Sequence, residues 1–254
     1  MKIITFNIRT NADKGLQAFE NRLPLLADFL REEGADIVCM QEVKPEMREA
    51  LREALPMYRF FGKGRFADFS NEAVPILYDP EKLTLLAEET FWISNTPCVP
   101  GSRYADCYHP RICTWGRFAA ETGDEFFVLN THLDNLVGSA RLFGARLAAH
   151  EIAKQPKDMP VIFCGDFNAE PDSEVVRYLL SADSLGFTEL SGAFPYTYQG
   201  FGKAPTEKID YFFVNAGIVP TAPVRMEERI APDGTYISDH WPLVLEFELK
   251  REKA

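Results

Sequence analysis

A chain of 254 residues suits one large α/β domain with a generous core, or two small domains. Hydrophobic residues make up 46% and charged residues 26%, which excludes a disordered or fibrous protein. The net charge of -11, without a Lys/Arg cluster, disfavours binding to extended duplex DNA, and a phosphorylated substrate would need a metal ion or local arginines to reverse the sign.

The sequence has no apolar run as long as a membrane span, and its first residues, MKIITFNIRT, enter a strand pattern at once. We therefore expect a cytoplasmic protein without a cleaved leader, and nothing suggests an obligate protein partner. The five cysteines are odd in number and lack C-x-x-C spacing, which argues against a zinc site or a disulfide framework.

Strand-like and helical patterns alternate along the chain, with strands dominating its middle. Helices are predicted over residues 21–33, ended by Gly34, over 45–55 and 139–154, and from Asp172 or Ser173 onward. The tripeptide TGD predicts a hairpin between two of the strands. The predicted strands span residues 2–8, 36–43, 57–62, 72–78, 83–93, 111–121, 125–131, 160–164, 209–214, 224–230 and 243–249.

The repeated pattern suggests two halves, each a helix-covered sheet, packed face to face. Because no Gly/Ser linker or change in composition separates them, we predict a single domain over residues 1–254. Residues 95–110 are predicted to be irregular, and a loop of that length in a compact domain often belongs to a binding site.

Polar side chains stand inside or directly after six apolar strands, where burial is costly unless they are paired or bind a metal. Each has an ordinary alternative: Asn7 could satisfy a neighbouring strand, Glu42 could cap a helix, and Asp210 could pair with Lys208 or Arg225. Together they predict one ligand site at a common sheet edge. The positions are Asn7, Glu42, His132 with Asp134, Asp166 with Asn168, Asp210, and Asp239 with His240.

These residue types favour one chemistry. Carboxylates with asparagine and histidine, and without cysteine, suit a hard cation such as Mg²⁺ or Mn²⁺. Water attack on a phosphate ester needs a base, a cation or donors for the developing charge, and help for the leaving oxygen. The strand-end residues supply all three.

The motifs TFNIR, QEV, NTHLD, GDFNAEPDS, KIDYFFV and SDHWPL occur in one order between Thr5 and Leu243. In these motifs the chain resembles the endonuclease/exonuclease/phosphatase superfamily, and FWISNTPCVPGSRYADCYHPRICTWGRF resembles a small bacterial branch of it. The resemblance implies a four-layer α/β sandwich, two packed mixed β-sheets flanked by helices, with metal-assisted phosphoester hydrolysis at the sheet edge.

The resemblance also implies roles. Glu42 would be the main metal ligand, with Asn7 and Asp239 near the cation, and Asp166 would orient or deprotonate the water. Asn168 would hold the phosphate, His132 would contact the phosphate or leaving group, and His240 with Asp210 would stabilise the transition state. A His240–Asp210 pair is the alternative base, but a histidine beside a carboxylate tends to stay protonated, which favours Asp166.

Other positions are weighed separately. Arg111 resembles a phosphate clamp, with a surface ion pair as the alternative. Glu72 matches an acidic position of the bacterial branch, or ends a strand, and Asp134 is a further candidate. After THLD, this chain has Asn135 at a position where the resemblance to the family leads us to expect a second histidine. His109 and His150 are interpreted as non-catalytic, and the rings of YTYQGF, residues 196–201, either stack on substrate or pack a loop.

The first hypothesis is a metal-dependent phosphodiesterase of a small, lipid or nucleotide-type substrate. The alternatives are a phosphomonoesterase of sugar or inositol phosphates, and a nuclease, which the net charge disfavours. A non-catalytic binding module is a fourth reading, and it would be expected to lack one of the motif residues. Specificity is expected in the loops 63–71, 95–110 and 196–206.

Overall fold

The structure is a computed structural model that describes residues 1–182, 184–192, 194–203 and 206–250. The helices are α1 Phe19–Glu33, α2 Pro45–Ala54, α3 Gly138–Ile152 and α4 Glu174–Leu180, with 3-10 turns at Gly15–Gln17 and Gly200–Gly202. The strands are β1 Lys2–Asn7, β2 Ile37–Gln41, β3 Arg59–Phe61, β4 Ile76–Tyr78, β5 Leu83–Trp92, β6 Ile112–Ala120, β7 Glu125–His132, β8 Val161–Asp166, β9 Thr188–Glu189, β10 Asp210–Val214, β11 Ile218–Pro220, β12 Arg225–Met226 and β13 Leu243–Leu249.

The strands form two mixed sheets. One has the order β11-β13-β1-β2-β4-β3, with β12 paired to β13, and the other has the order β5-β6-β7-β8-β10-β9. Strand β13 returns from the end of the chain to pair with β1. The two sheets therefore do not correspond to the first and second halves of the chain, as the sequence suggested. The sheet formed by residues 83–214 is inserted in the chain between β4 and β11, which belong to the other sheet.

Three apolar cores separate four layers. Apolar residues of α1 and α2 pack on the outer face of one sheet, and those of α3 and α4 pack on the outer face of the other. Between the sheets, alternate residues of the same strands meet, so Ile3 faces the other sheet while Ile4 faces the helices. Strands buried on both faces explain the continuous apolar runs of the sequence. The α/β sandwich is confirmed.

Two pairs of parallel strands determine which strand ends lie together at one edge of the sheets. Strand β1 runs parallel to β2, and β7 runs parallel to β8, with His132 in register with Asp166. Strand β10 is antiparallel to β8, so Asp210, its first residue, lies opposite Asp166. Gly165 has a φ of 135°, and a Cβ there would lie 2.1 Å from the carbonyl oxygen of Thr131. Only glycine lets β8 approach β7 so closely before Asp166.

Several local predictions are confirmed. Gly34 ends α1 in the left-handed conformation, and the Ser173 hydroxyl accepts the backbone N–H of Val176 at the start of α4. The TGD turn joins β6 to β7, with Gly123 at a φ of 84°. The predicted irregular loop 95–110 contains turns and no strand or helix in the described chain.

Other boundaries were wrong. The strand predicted over 224–230 is two residues long, the one over 57–62 is three, and residues 72–75 precede β4 rather than belonging to it. Isolated bridges from Ala73 to Val43 and Gly64 replace a ladder there, because the chain turns to bring Glu72 toward the site. Strands β9 and β11 were not predicted, since two or three residues carry no measurable alternation.

No helix in the described parts of the chain is long and apolar enough to cross a membrane.

Candidate active site

A pocket of about 600 Å³ opens at the edge where β1, β2, β7 and β8 end. It collects most of the residues predicted from the strand ends, although they lie far apart in the chain. Another cavity of about 630 Å³, near Met1 and Phe247, collects none of them. The strand-end residues that line the pocket are Glu42, His132, Asp166, Asn168, Asp239 and His240, joined by Arg9, Arg65, Glu72, His109, Arg111, Asn135 and Tyr198.

Asn7 links two of the carboxylates. Its amide nitrogen Nδ2 lies 2.9 Å from Oδ2 of Asp166 and 3.2 Å from Oε1 of Glu42, and its Oδ1 accepts the backbone N–H of Arg9. The other carboxylate oxygen of Glu42 accepts the backbone N–H of Thr10 at 2.9 Å. Asn7 therefore satisfies two site carboxylates rather than a neighbouring strand, and Glu42 faces the pocket rather than capping α2.

His240 and Asp210 form a buried pair below the pocket. Nδ1 of His240 lies 2.8 Å from Oδ2 of Asp210, and the Thr197 hydroxyl donates to the same oxygen at 2.6 Å. Nε2 of His240 lies 3.8 Å from Oδ2 of Asp166. The alternative partners of Asp210 are engaged elsewhere, because Lys208 pairs with Glu189 and Arg225 pairs with Glu33 and Glu227.

Burial and neighbouring charges shift the pKa values of Asp166 and His240. Burial, and then the negative charge of Asp210, raises the pKa of Asp166 to about 7. Burial alone would lower the pKa of His240, but the charge and hydrogen bond of Asp210 outweigh it and raise the pKa to about 10. His240 is therefore a cation at neutral pH, whereas Asp166 titrates near neutrality.

His132 occupies the end of β7, with its Nε2 3.6 Å from Oδ2 of Asp166. Burial, and then the positive charges of Arg111 and Arg65, hold the pKa of His132 well below its ordinary value. Its imidazole is consequently neutral and has one N–H donor and one acceptor nitrogen.

Arg111 is buried, so the surface ion pair considered as its alternative is not what the structure shows. It donates through one terminal nitrogen to Oδ1 of Asn135 at 3.0 Å. Its Nε is 3.6 Å from a carboxylate oxygen of Asp134 and has no hydrogen-bond partner among the described residues. Asp134 instead accepts the backbone N–H groups of Leu136 and Val137 just before α3. Asp134 is thus a structural residue behind Arg111 and does not line the pocket.

Asp166 and Asn168 form a turn of their own and also line the pocket. The backbone N–H of Asn168 donates to Oδ1 of Asp166 at 2.9 Å, which is an Asx turn, and its side-chain amide donates to the carbonyl of Leu133. The second oxygen of Asp166 remains directed at Asn7 and the two histidines. The turn holds Asp166 in place and so supports a role in the pocket.

Backbone strain is concentrated at this edge. Arg9, Glu42 and Asn168 have φ values of 56°, 64° and 47°, in the left-handed region that costs such residues on the order of 1–3 kcal/mol. Strain of this kind persists where the surrounding structure fixes a functional conformation.

A divalent cation fits the donor set. Glu42, Asp166, Asp210 and Asp239 bring four carboxylates together, and burial raises the pKa of Asp239 as it does that of Asp166, so added positive charge stabilises them. Arg9 lies 3.6 Å from Asp239. Oxygen donors without cysteine suit Mg²⁺ or Mn²⁺.

Two groups of residues could hold this cation. Ligand atoms of Asp166, Asp210 and His240 lie within 4.8 Å of one another. The direct 2.8 Å bond between Asp210 and His240, however, leaves those two atoms committed to each other. Glu42 and Asp239, with Asn7 beside them, could hold a cation without breaking that pair.

The sequence did not single out three residues that shape the site. Thr197 and Ser238 are uncharged, and Ser238 donates to the backbone carbonyl of Asn7 at 2.7 Å. Arg65, in the predicted loop 63–71, is buried and lines the pocket. The loop 63–71, KGRFADFSN, carried no signal for this role, because the burial of Arg65 is visible only in the tertiary structure.

The aromatic rings of residues 196–201 lie in different environments. Tyr198 lies with its ring centroid 5.0 Å from that of His240 and lines the pocket, whereas Tyr196 packs on the helix-side core and Phe201 contacts Tyr236. Residues 204–205 of the predicted loop 196–206 lie outside the described residues. His109 lines the pocket as a loop residue, and His150 is exposed on α3.

Comparison with known proteins decides the family. The family model described as Endonuclease/Exonuclease/phosphatase family matches residues 4–240. The chain belongs to this family. All six motifs that carried the resemblance lie within or at the end of the matched range, so the family predicted from the sequence is confirmed.

Similar proteins cover almost the whole chain. An uncharacterised mimivirus protein from Acanthamoeba polyphaga mimivirus is 26% identical over 98% of this chain and 100% of its own. The structure of an endonuclease/exonuclease/phosphatase from Bacteroides vulgatus superposes with a TM-score of 0.91 at 28% identity, covering 98% of both chains. A mannosyl-6-phosphatase from Bacteroides thetaiotaomicron gives 0.84 at 24% identity, over 98% and 100%, and shows the shared fold.

Proposed function

We propose that this protein is a divalent-cation-dependent phosphoesterase in which water attacks the phosphorus of a small phosphate ester. Members of its family are hydrolases acting on phosphate esters. The observation that supports the proposal for this chain is the meeting of Asp166 with Asn7, His132 and His240 within 4 Å at one sheet edge. A binding module that had lost catalysis would be expected to lack one of these groups.

The cation, Mg²⁺ or Mn²⁺, is proposed to be held by Glu42 and Asp239, with Asn7 beside it. When bound, it supplies positive charge to the phosphate oxygens as negative charge develops in the transition state. Asn7 also keeps Asp166 and Glu42 at a fixed separation, since its amide nitrogen contacts both.

Asp166 is the proposed base. Its pKa is about 7 in the cation-free protein, and a bound cation would lower it, so Asp166 is deprotonated at neutral pH and can accept a proton from water. Its Oδ1 is fixed by the N–H of Asn168. His240 is proposed to donate instead, because Asp210 keeps it protonated and its Nε2 points toward Asp166. The alternative, His240 as base, would require loss of that proton.

His132, Asn168 and Arg111 are proposed to bind the phosphoryl oxygens or the leaving oxygen. The neutral imidazole of His132 can donate one hydrogen bond without repelling Arg111. Arg111 lines the pocket, and in the described residues its terminal nitrogens bond only to Asn135, which leaves N–H groups for a substrate oxygen. Asn135, in place of the histidine expected after THLD, accepts from Arg111, so leaving-group help falls to His132.

The class of ester has two candidates. A diester was expected from the sequence, but two arginines, Arg65 and Arg111, line the pocket, and this favours a monoester, whose extra oxyanion would accept hydrogen bonds from them. A nuclease acting on extended duplex DNA is disfavoured by the net charge of -11. The cytoplasmic location and the single domain expected from the sequence stay predictions.

Hydrolysis of p-nitrophenyl phosphate and bis(p-nitrophenyl) phosphate, each with Mg²⁺, Mn²⁺ or excess EDTA, tests the proposal. We expect cation-dependent release of p-nitrophenol that Asp166→Asn lowers by at least about 10²-fold and that Asp28→Asn, at an exposed position of α1, leaves intact. Activity that survives EDTA would contradict the cation requirement. Failure of both esters in both metals would contradict the phosphoesterase itself.

A further inference from the structure

Arg65 is an arginine that the proposed catalytic steps do not use. It has only 5% of its surface exposed, yet it lines the pocket together with Glu42, His132 and Arg111. The same residues also border a narrow cleft at the inner end of the pocket. A buried guanidinium that reaches a solvent-filled pocket is expensive to place and needs an explanation.

Neighbouring residues fix this side chain in one orientation. Its two terminal nitrogens lie 2.8 Å and 2.9 Å from the two carboxylate oxygens of Glu72, and its Nε donates to Oδ1 of Asn71 at 2.9 Å. Asn71 itself has a φ of 68°, in the left-handed region. The indole N–H of Trp92 donates to the backbone carbonyl of Arg65 at 2.7 Å.

The fork of Glu72 uses only part of the hydrogen-bonding capacity of Arg65. A guanidinium has five N–H groups, and the contacts to Asn71 and Glu72 occupy three of them. One N–H on each terminal nitrogen remains. Glu72 therefore holds Arg65 as a rigid donor and keeps its charge compatible with burial, which is the role of a positioning residue.

Arg65 and Arg111 act on the same space. Both guanidinium groups line the narrow cleft at the inner end of the pocket, as His132 does. After burial, their positive charges lower the pKa of His132 and of His109. Both guanidinium groups keep unused N–H donors in the described residues: two remain on the terminal nitrogens of Arg65, and the terminal nitrogens of Arg111 bond only to Asn135. Two fixed cations with unused donors are suited to an anion that offers several oxygens.

Resting on the proposed phosphoesterase function, the geometry points to Arg65 as a specificity residue that, with Arg111, selects a terminal, dianionic phosphate group. A monoester presents three non-bridging oxygens, enough to accept from Arg65 and Arg111 while others face the cation. The second ester arm of a diester has no charged oxygen to accept hydrogen bonds from these arginines. A substrate that leaves buried donors of a site unpaired is strongly rejected.

Arg65→Lys tests this inference, because lysine keeps the charge but loses the planar fork. Arg117→Lys is the matched control, since Arg117 also pairs with a glutamate, Glu125, but lies outside the pocket. With p-nitrophenyl phosphate we expect kcat/KM to fall about 10²-fold in Arg65→Lys, the cost of one fixed oxyanion donor. With bis(p-nitrophenyl) phosphate we expect less than about a threefold change. Equal losses on both esters, or no loss on either, would overturn the inference.

Binding of inorganic phosphate provides a readout that does not depend on turnover. Titration calorimetry in Mg²⁺ should show the affinity of the wild type weakened at least about tenfold by Arg65→Lys and unchanged by Arg117→Lys. Glu72→Gln keeps Arg65 but weakens the contacts that fix its guanidinium, so it should weaken phosphate binding several-fold. This variant provides the test if Arg65→Lys does not fold. Unaltered phosphate affinity in the folded variants would refute the role of Arg65.

The two proposals fail separately. A wild type inactive on both esters that still binds phosphate through Arg65 would contradict the phosphoesterase and support the anion site. A wild type that hydrolyses only the diester would support the phosphoesterase and overturn the selection of a terminal phosphate.

Discussion

Nδ1 of His240 lies 2.8 Å from Oδ2 of Asp210, and this oxygen also accepts a 2.6 Å hydrogen bond from the hydroxyl of Thr197. The Thr197 hydroxyl in turn accepts the backbone N–H groups of Ile209 and Asp210. One buried threonine thus ties the start of β10 to the carboxylate that keeps His240 protonated.

Thr197→Val removes this hydroxyl while keeping the shape of the side chain. We expect kcat to fall roughly tenfold with little change in KM, because Asp210 loses a partner that orients it toward His240. The free energy of unfolding should fall by about 1–3 kcal/mol, since two backbone N–H groups lose their acceptor. Steady-state kinetics and urea unfolding check both values. Thr84→Val, at an exposed position of β5, is the control, and an unchanged kcat in Thr197→Val would contradict the orienting role.

Asp166→Asn should lower kcat by at least about 10²-fold while the protein stays folded, because asparagine cannot accept the proton of the attacking water. A base must be deprotonated, so the wild-type rate should rise with pH through the pKa of Asp166. That pKa is about 7 in the cation-free protein. A bound divalent cation lowers it, so the rise should lie below pH 7.

The pH-rate profiles of the two proteins are the decisive measurement. The residual activity of Asp166→Asn should lack the rise at low pH that the wild type shows. A variant profile with the same rise would assign the base to another group, with the His240–Asp210 pair as the first alternative.

Glu42→Ala should weaken Mg²⁺ binding by more than about 100-fold, since removing even a supporting residue of a metal site typically costs 10–100-fold. Titration calorimetry measures the affinity directly. Glu46→Gln is the matched control, because Glu46 is near in sequence but binds Asn11 at the surface. Equal Mg²⁺ affinity in Glu42→Ala and wild type would favour a non-catalytic scaffold over the proposed enzyme.

Glu33, at the end of α1, should make stability depend on pH. Burial alone would raise the pKa of Glu33, but hydrogen bonds from Arg225 and Lys2 outweigh it, so the pKa is lowered. A carboxyl with a lowered folded pKa stabilises the protein above the ordinary pKa of about 4.3, and this contribution is lost as the pH falls through the folded value.

Glu33→Gln should therefore cost about 1 kcal/mol at pH 7, and the difference from wild type should shrink below pH 4. Urea unfolding midpoints at pH 7 and pH 3.5 measure it. Glu53→Gln, an exposed position of α2, should show no such convergence. A constant difference at both pH values would mean that packing, rather than the charge of Glu33, stabilises this corner.

Much of the fold was readable because strands buried on both faces and amphipathic helices leave strong patterns. Gly34 and Ser173 marked helix ends through local backbone preferences that need no tertiary contact. The polar residues that end apolar strands were expected to meet at one sheet edge, and Asn7, Asp166 and His240 do lie together there, while their roles stay predictions.

The tertiary structure alone decided which strands became neighbours and which polar residues acquired a structural partner. The return of β13 to β1 depends on contacts between residues more than two hundred positions apart, which no local pattern encodes. Arg65 lies in the pocket where Trp92, 27 residues further along the chain, binds its backbone carbonyl and Glu72 holds its guanidinium. Residue types fix what chemistry is available, and only packing determines which of them meet.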